Sequence, residues 1–229
     1  MQVTVEKIDV NTVLIDVDGT ITGKKEDAGI INPLEHLLNL VMEKKGVSQK
    51  EALQEISEAG NPETTCLFNL LRTLDVSREE LWERLRNDVV KNIEIPEDAS
   101  FFIKSLREKK IKLYSATTNS RMITLLKLSA GGLGDINGSP YFAGYFGGDA
   151  FNDPQGKYSE KFFPSILKHG NFDPEKTMMV GDNEKCDLLP ALKSGIRSVV
   201  IINRKQKESL IYKNGGIYVN SLRILCDMI

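Results

Sequence analysis

The stretch Thr12 to Thr20 constrains this chain most: the apolar run Val13, Leu14, Ile15 leads directly into Asp16, Val17, Asp18, Gly19 and Thr20. A short apolar run halted by a glycine reads as a buried parallel strand, and an open parallel sheet binds ligands just beyond the carboxyl ends of its strands. Two carboxylates therefore stand where a ligand would. Alternation along an extended chain sends Asp16 and Asp18 to the same side, and Gly19 lets the backbone turn sharply enough to keep both near one spot. Unpaired, they repel: two unit charges about 4 Å apart cost roughly 4 kcal/mol at an effective dielectric of about 20. A cation has to compensate, and all-oxygen donors favour a hard one; magnesium with substrate phosphate is the usual occupant of one or two such carboxylates. Taken alone, Asp-x-Asp also reads as a turn that punctuates a strand.

After Thr20 the polar piece Ile21 to Gly29 reads as a linker, and the pattern then becomes helical. Asn32-Pro33 opens a helix with Leu34, Leu37, Leu38 and Val41 on one face, ending near Gly46. Ser48 with Glu51, and Ser77 with Glu80, are capping-box patterns. Between them Asn61-Pro62 is expected to start a helix carrying Leu67, Leu70, Leu71 and Leu74, and Trp82, Leu85 and Val89 line a fourth. Pro33 to Asn92 thus reads as an all-helical insertion. Pro96 restarts the main unit with a helix to about Lys110. Strands follow at Ile111 to Ala116, Tyr141 to Phe146, Thr177 to Val180 and Ser198 to Ile202, with helices near Ser159 to Lys168 and Leu188 to Ser194. Helix and strand alternate with no hairpin-type turn between them, which predicts a doubly wound, Rossmann-like parallel sheet of α/β class. The tail closes on Ile217-Tyr218-Val219 and a short helix. The expected division is 1–21 and 96–229 for the α/β core and 22–95 for the helical cap.

Composition narrows the function classes. A chain of 229 residues has volume for a sizeable core, and a net charge of -2 gives no reason to expect nucleic acid or an anionic membrane as partner. The basic run Lys104, Arg107, Lys109, Lys110, Lys112 reads as a solvated helix end. Cys66, Cys186 and Cys226 are scattered and lack Cys-x-x-Cys spacing, so neither a disulfide framework nor a zinc site is expected. Met1 to Val10 lacks a signal-peptide core and no apolar run reaches the ~20 residues of a membrane span. A cytoplasmic protein is expected. Gly131, Gly132 and Gly134 suggest a dinucleotide loop, but position 137 is Asn and the run follows a helix, so the motif fails its context. Gly131 to Gly156 reads instead as a flexible connection carrying one strand.

Asp16-Val-Asp-Gly-Thr20, the polar strand end at Thr117, Lys157, and Gly181-Asp182 followed by Asp187 together resemble the four ordered motifs of the haloacid dehalogenase superfamily of phosphohydrolases. The resemblance spans about Val13 to Val200. It implies a helical cap between the first two motifs and magnesium (Mg2+) held by the Asp16 carboxylate, the Asp18 main-chain carbonyl and Asp182. Asp16 can act as nucleophile and form an aspartyl-phosphate, and Asp18 can protonate the leaving alcohol and then take a proton from water. An acid at Asp18 points to a phosphatase, with a sugar phosphomutase or an inactive binding module on the same fold as alternatives. Thr117 or Thr118, with Asn119 and the amides of that helix start, would hold phosphate. Lys157 is preferred to Lys161 because it precedes its helix and has Phe163 and Leu167 at the family's apolar spacing, although Tyr158 replaces the proline often found there. Thr20, Asn183 and Asp187 stand behind these groups, Asp187 facing water or Lys157. Three carboxylates balance magnesium plus one lysine if Asp18 is protonated, and its acidic neighbours are of the kind that raise a carboxyl pKa. The expected substrate is a small phosphorylated metabolite. Lys24, Lys25, Arg72, Arg84 and Arg86 could meet an anionic leaving group, although such residues usually face water. The oligomeric state is not legible.

Overall fold

Val13, Leu14 and Ile15 are wholly buried, as a strand paired on both edges and covered on both faces requires. The computed structural model describes residues 7–29, 31–62, 65–148, 150–151 and 155–229. The first half of the chain runs β1 (Thr12–Ile15), β2 (Gly23–Lys24), α1 (Pro33–Lys45), α2 (Gln49–Ala59), α3 (Leu67–Leu70), α4 (Arg78–Asn92), β3 (Ile93–Glu94), α5 (Glu97–Glu108), β4 (Lys112–Ala116) and α6 (Arg121–Ser129). The second half runs β5 (Gly144–Phe146), α7 (Phe162–Gly170), β6 (Thr177–Gly181), α8 (Leu189–Lys193), β7 (Ser198–Ile202), β8 (Leu210–Lys213), β9 (Gly216–Val219) and α9 (Arg223–Met228).

The main sheet has the order β5-β4-β1-β6-β7-β9-β8. Every pairing in it is parallel except β8 with β9. Ile15 lies opposite Ser115 on one side and Val180 on the other, so β4, β1 and β6 end level with one another. Alternation divides the core into two layers: Val13 and Ile15 face the side packed by α5, α6 and the helical insertion, whereas Leu14 joins Met179, Phe163 and Ile166 on the opposite face. This is the doubly wound α/β sheet expected from the sequence, and it places the three strand ends that carry the acidic motifs side by side.

The helical insertion starts as its caps dictate. Asn32 caps α1 with Pro33 in its first turn, and Gly46 ends it at φ 65. Both capping boxes form, at Ser48/Glu51 and Ser77/Glu80. The helix expected from Asn61-Pro62 begins only at Leu67 and passes after one turn into a 3-10 turn at Leu71–Thr73; residues 63–64 lie outside the described residues. Leu67, Leu70, Leu71 and Leu74 are nonetheless buried, so the apolar stripe marks the core but not the length of helix.

Further expectations are corrected or refined. The alternation is broken by a hairpin: Asn214 and Gly215, at φ 53 and 78, join β8 to β9 in the mirror-image turn that favours this pair. The polar linker 21–29 contains β2, which pairs antiparallel with β3 as Gly23 opposite Glu94 and Lys24 opposite Ile93, so both connections to the helical insertion run together as a ribbon. The helix expected at 188–194 is preceded by a wide turn over Glu184–Leu188 with π-type hydrogen bonding. The strand and helix expected from Tyr141 and Ser159 start later, at Gly144 and Phe162. Part of the glycine-rich 131–156 connection, and residues 1–6 of the N-terminal piece, lie outside the described residues. Among the described residues no helix is long and apolar enough to cross a membrane.

Candidate active site

At the level ends of β1 and β6 the chain brings Asp16, Asp182 and Asp187 together: one oxygen from each lies within 4.8 Å of the others. Lys157 reaches them from a 3-10 turn at Gly156–Tyr158. Its Nζ lies 2.6 Å from Asp16 Oδ1 and 2.5 Å from Asp187 Oδ1. Lys157 is 3% exposed and Asp187 0%, so these pairs act without solvent screening. The other Asp187 oxygen accepts the amides of Asp182 at 3.1 Å and Asn183 at 3.0 Å, which fixes the loop that carries Asp182. Asn183 in turn accepts the amides of Lys185 and Cys186 and so starts the wide turn that directs Asp187 inward. Two glycines make the crowding feasible. A Cβ on Gly19, itself at φ +78, would come 2.1 Å from Asp182 Oδ2, and one on Gly181 would come 2.2 Å from Asp187 Cγ.

The electrostatics follow from burial. Desolvation, assisted by the Asp187 charge and opposed by Lys157, pushes the Asp16 carboxyl up to about 7. Desolvation and Asp187 likewise raise Asp182. Burial disfavours the Lys157 ammonium, yet the two carboxylates outweigh it and its pKa is raised. Three acids sharing one lysine leave the cluster short of positive charge, and its oxygen donors suit a hard divalent ion.

Asp18 is not the neutral acid expected from the charge count. Burial acts against its charge, but Lys127 and hydrogen bonds from Lys127, Asn119 and Thr22 outweigh this and hold its carboxyl below the usual value. Lys127 Nζ lies 2.7 Å from both Asp18 oxygens and 2.9 Å from Asn119 Oδ1, and Asn119 Nδ2 donates to Asp18 Oδ2 at 2.8 Å. Desolvation and the Asp187 charge raise Asp16 and Asp182, which share Lys157 with Asp187, whereas Asp18 has Lys127 to itself.

Beyond β4, Thr117 is buried; its hydroxyl accepts the Asn119 amide at 3.3 Å and Asn119 Nδ2 at 3.0 Å. Thr118 is exposed. Ser120 caps α6 through the Ile123 amide. The haloacid dehalogenase-like hydrolase family model matches residues 10–195, which contain every one of these groups. The chain belongs to this family.

No curated protein matches the chain. Among solved structures, the phosphatase of this superfamily from Thermococcus onnurineus is 23% identical with a TM-score of 0.55, over 95% of this chain and 97% of its own. A candidate β-phosphoglucomutase from Thermotoga maritima is 18% identical, with a TM-score of 0.54 over 95% and 97%. A candidate hydrolase of the superfamily, YfnB from Bacillus subtilis, bound to magnesium, is 17% identical with a TM-score of 0.54 over 94% and 96%. At these identities the likeness concerns the fold.

In this haloacid dehalogenase-like hydrolase two cavities flank Asn119. One, of about 570 Å³, is lined by Thr118, Ser120, Gly148 and Lys157 on the sheet side and by Pro33 and Leu67 of the helical insertion among others. The second, of about 820 Å³, lies over Asp18 and Lys127, with Leu85, Val89 and Ile123 in its walls. Lys24 lines this second cavity. Lys25 instead donates to the Val90 carbonyl, Arg84 pairs with Glu43, and Arg72 and Arg86 are exposed. Sequence reasoning missed Lys127, since a lysine on an amphipathic helix gives no signal that it turns back over the strand end. Thr20 is wholly buried; among the described residues its hydroxyl has no hydrogen-bond partner, and its main-chain oxygen accepts from Arg204, a second residue the sequence did not single out.

Proposed function

We propose that this hydrolase is a magnesium-dependent phosphomonoesterase that acts on a small phosphorylated metabolite through an aspartyl-phosphate on Asp16. The observation that carries the reading is the cluster of buried Asp16 and Asp187 around Lys157 with the more exposed Asp182 beside them, and a further carboxylate, Asp18, two residues beyond the first. Asp16 and Asp182 through their carboxylates and Asp18 through its main-chain carbonyl would hold Mg2+; Asp187 is already engaged by Lys157 and two amides. When bound, the ion neutralises charge on the carboxylates and on the phosphate oxygens.

One carboxylate oxygen of Asp16 bonds to phosphorus, the ester oxygen leaves, and Asp18 gives it a proton. Water then attacks the phosphoryl group, its proton returning to Asp18, and free phosphate departs as the Asp16 carboxylate is regenerated. Lys157 orients the nucleophile through Asp16 Oδ1 and offsets part of the incoming charge. Thr117, Thr118 and Asn119, at the start of α6, would receive the phosphate oxygens. Asp18 stands in its base form, ready for the second half of the cycle. A phosphate dianion arriving beside it raises its proton affinity, so that it takes up a proton from solvent before the first half. The helical insertion covers the site and would limit access of bulk water.

A screen of phosphorylated metabolites with magnesium, run on the wild type and on Asp16→Asn, tests this. Free phosphate released by the wild type and not by the variant is the expected result. Isomerised product without free phosphate would assign a mutase instead, and no turnover of any phosphoester would overturn the reading.

A further inference from the structure

Arg204 lies just past the carboxyl end of β7, far in sequence from the acidic motifs, yet all three of its guanidinium nitrogens are engaged beside them. Nη1 donates to the Gly19 carbonyl at 3.2 Å and Nη2 to the Thr20 carbonyl at 2.9 Å. Nε lies 3.2 Å from each Asp98 oxygen, and Nη2 lies 3.0 Å from Oδ1. Asp98 is itself fixed, accepting the amides of Ala99 at 2.9 Å and Leu222 at 3.0 Å. Its side chain is 13% exposed and that of Arg204 30%.

These contacts join four segments at one point. Gly19 and Thr20 begin the outgoing connection to the helical insertion, and Asp98 lies in the first turn of α5, just after the returning one. The ribbon of β2 and β3 lies immediately beyond. Within the clamped loop the chain closes tightly, with the Ile21 and Thr22 amides both donating to the Val17 carbonyl. A Cβ on Gly19 would come 2.1 Å from Asp182 Oδ2, so the loop passes close to that carboxylate. A planar, two-pronged donor holds the loop from its other side, and Asp18 rides on it. An ammonium could not bind two successive carbonyls and a carboxylate in this way.

We propose that Arg204, oriented by Asp98, is a positioning residue for the reaction: it anchors the loop bearing Asp18 at the shared root of both connections to the helical insertion, so that Asp18 keeps its place relative to Asp16. The proposal rests on reading Asp16 and Asp18 as the reacting pair.

The test uses the full chain with magnesium and p-nitrophenyl phosphate, together with hydrogen exchange of the backbone amides. Arg204→Ala is expected to lower kcat on the order of 10²-fold, as a displacement of roughly 1 Å at a reacting group does, with KM nearly unchanged. Added methylguanidinium should restore part of the kcat of this variant and none in the wild type, whereas Arg204→Lys should restore little. Amides of residues 17–22 should exchange about tenfold faster or more while those of β1 and β6 keep their protection. A kcat within about twofold of the wild type, or exchange that rises equally across the sheet, would overturn the proposal. If Arg204→Ala does not fold, Asp98→Asn decides: it keeps one acceptor oxygen, enough for the Ala99 or the Leu222 amide but not both, loses the charge that orients Arg204, and should show the same effects at smaller size. If the wild type hydrolyses no phosphoester, the functional reading fails, and the exchange measurement alone still decides the clamp.

Discussion

Lys157 sits between Asp16 and Asp187 with almost no water around it, so its charge has no substitute. Lys157→Met would leave buried carboxylates uncompensated, and breaking a buried pair in this way costs about 3–5 kcal/mol. Urea unfolding near neutral pH should show that loss, and the loss should shrink in mild acid as Asp16 takes up a proton. Asp16→Asn should behave in the opposite sense. It removes one of three crowded acids while Lys157 keeps Asp187, so the metal-free variant should melt at or above the wild-type temperature near neutral pH while hydrolysis falls on the order of 10⁴-fold or more. A variant that lost stability along with activity would contradict the charge crowding inferred for Asp16. Lys127 acts on the neighbouring acid. Lys127→Met removes the cation that offsets the burial of Asp18, so the Asp18 carboxyl, followed by carbon-13 NMR, should titrate at higher pH than in the wild type.

At the scale of elements, β1, β4 and β6 matter because they end level, and their final residues tolerate little. Gly181 closes β6 against Asp187, where a methyl group would sit 2.2 Å from the carboxyl carbon. Asp187 cannot step aside without releasing Lys157 and the two amides it accepts. Gly181→Ala should therefore cost about 1–3 kcal/mol, as overpacking does, and should depress activity through the displaced carboxylate. Gly138→Ala, where nothing lies within 4 Å, should leave activity unchanged. β1 and β6 were legible because each is an apolar run stopped by Asp or Gly, and the capped helices because Asn32, Ser48 and Ser77 announce them. The ribbon was not, since two residues such as Gly23–Lys24 are too short to show alternation. The Asn214-Gly215 hairpin carried a recognisable turn signal that an expectation of strict helix-strand alternation passed over. The site's acids could be read from their motifs, but their protonation could not: which carboxyl rises depends on which lysine reaches it and which acids share that lysine, neither of which is written in the spacing.

For the whole molecule, stability and metal binding are linked through the same crowded acids. Asp16 binds its proton more tightly when folded, about 7 against an ordinary 3.8, so between those values the folded state holds more protons than the unfolded one. Stability of the metal-free protein therefore falls as pH rises through that window, and the raised Asp182 adds to the fall. A divalent ion held by the deprotonated carboxylates reverses the trend, since an ion that binds the folded state stabilises it by mass action and competes with protons for the same oxygens. Thermal melts in chelator should thus give a lower Tm near pH 7.5 than near pH 5, and millimolar Mg2+ should recover the difference at the higher pH while adding little at the lower. Asp16→Asn should flatten both responses. A Tm in chelator that rose steadily from pH 5 to 7.5, with no response to Mg2+, would mean that the three acids are compensated by something other than a metal ion, and would remove the ground for placing one among them.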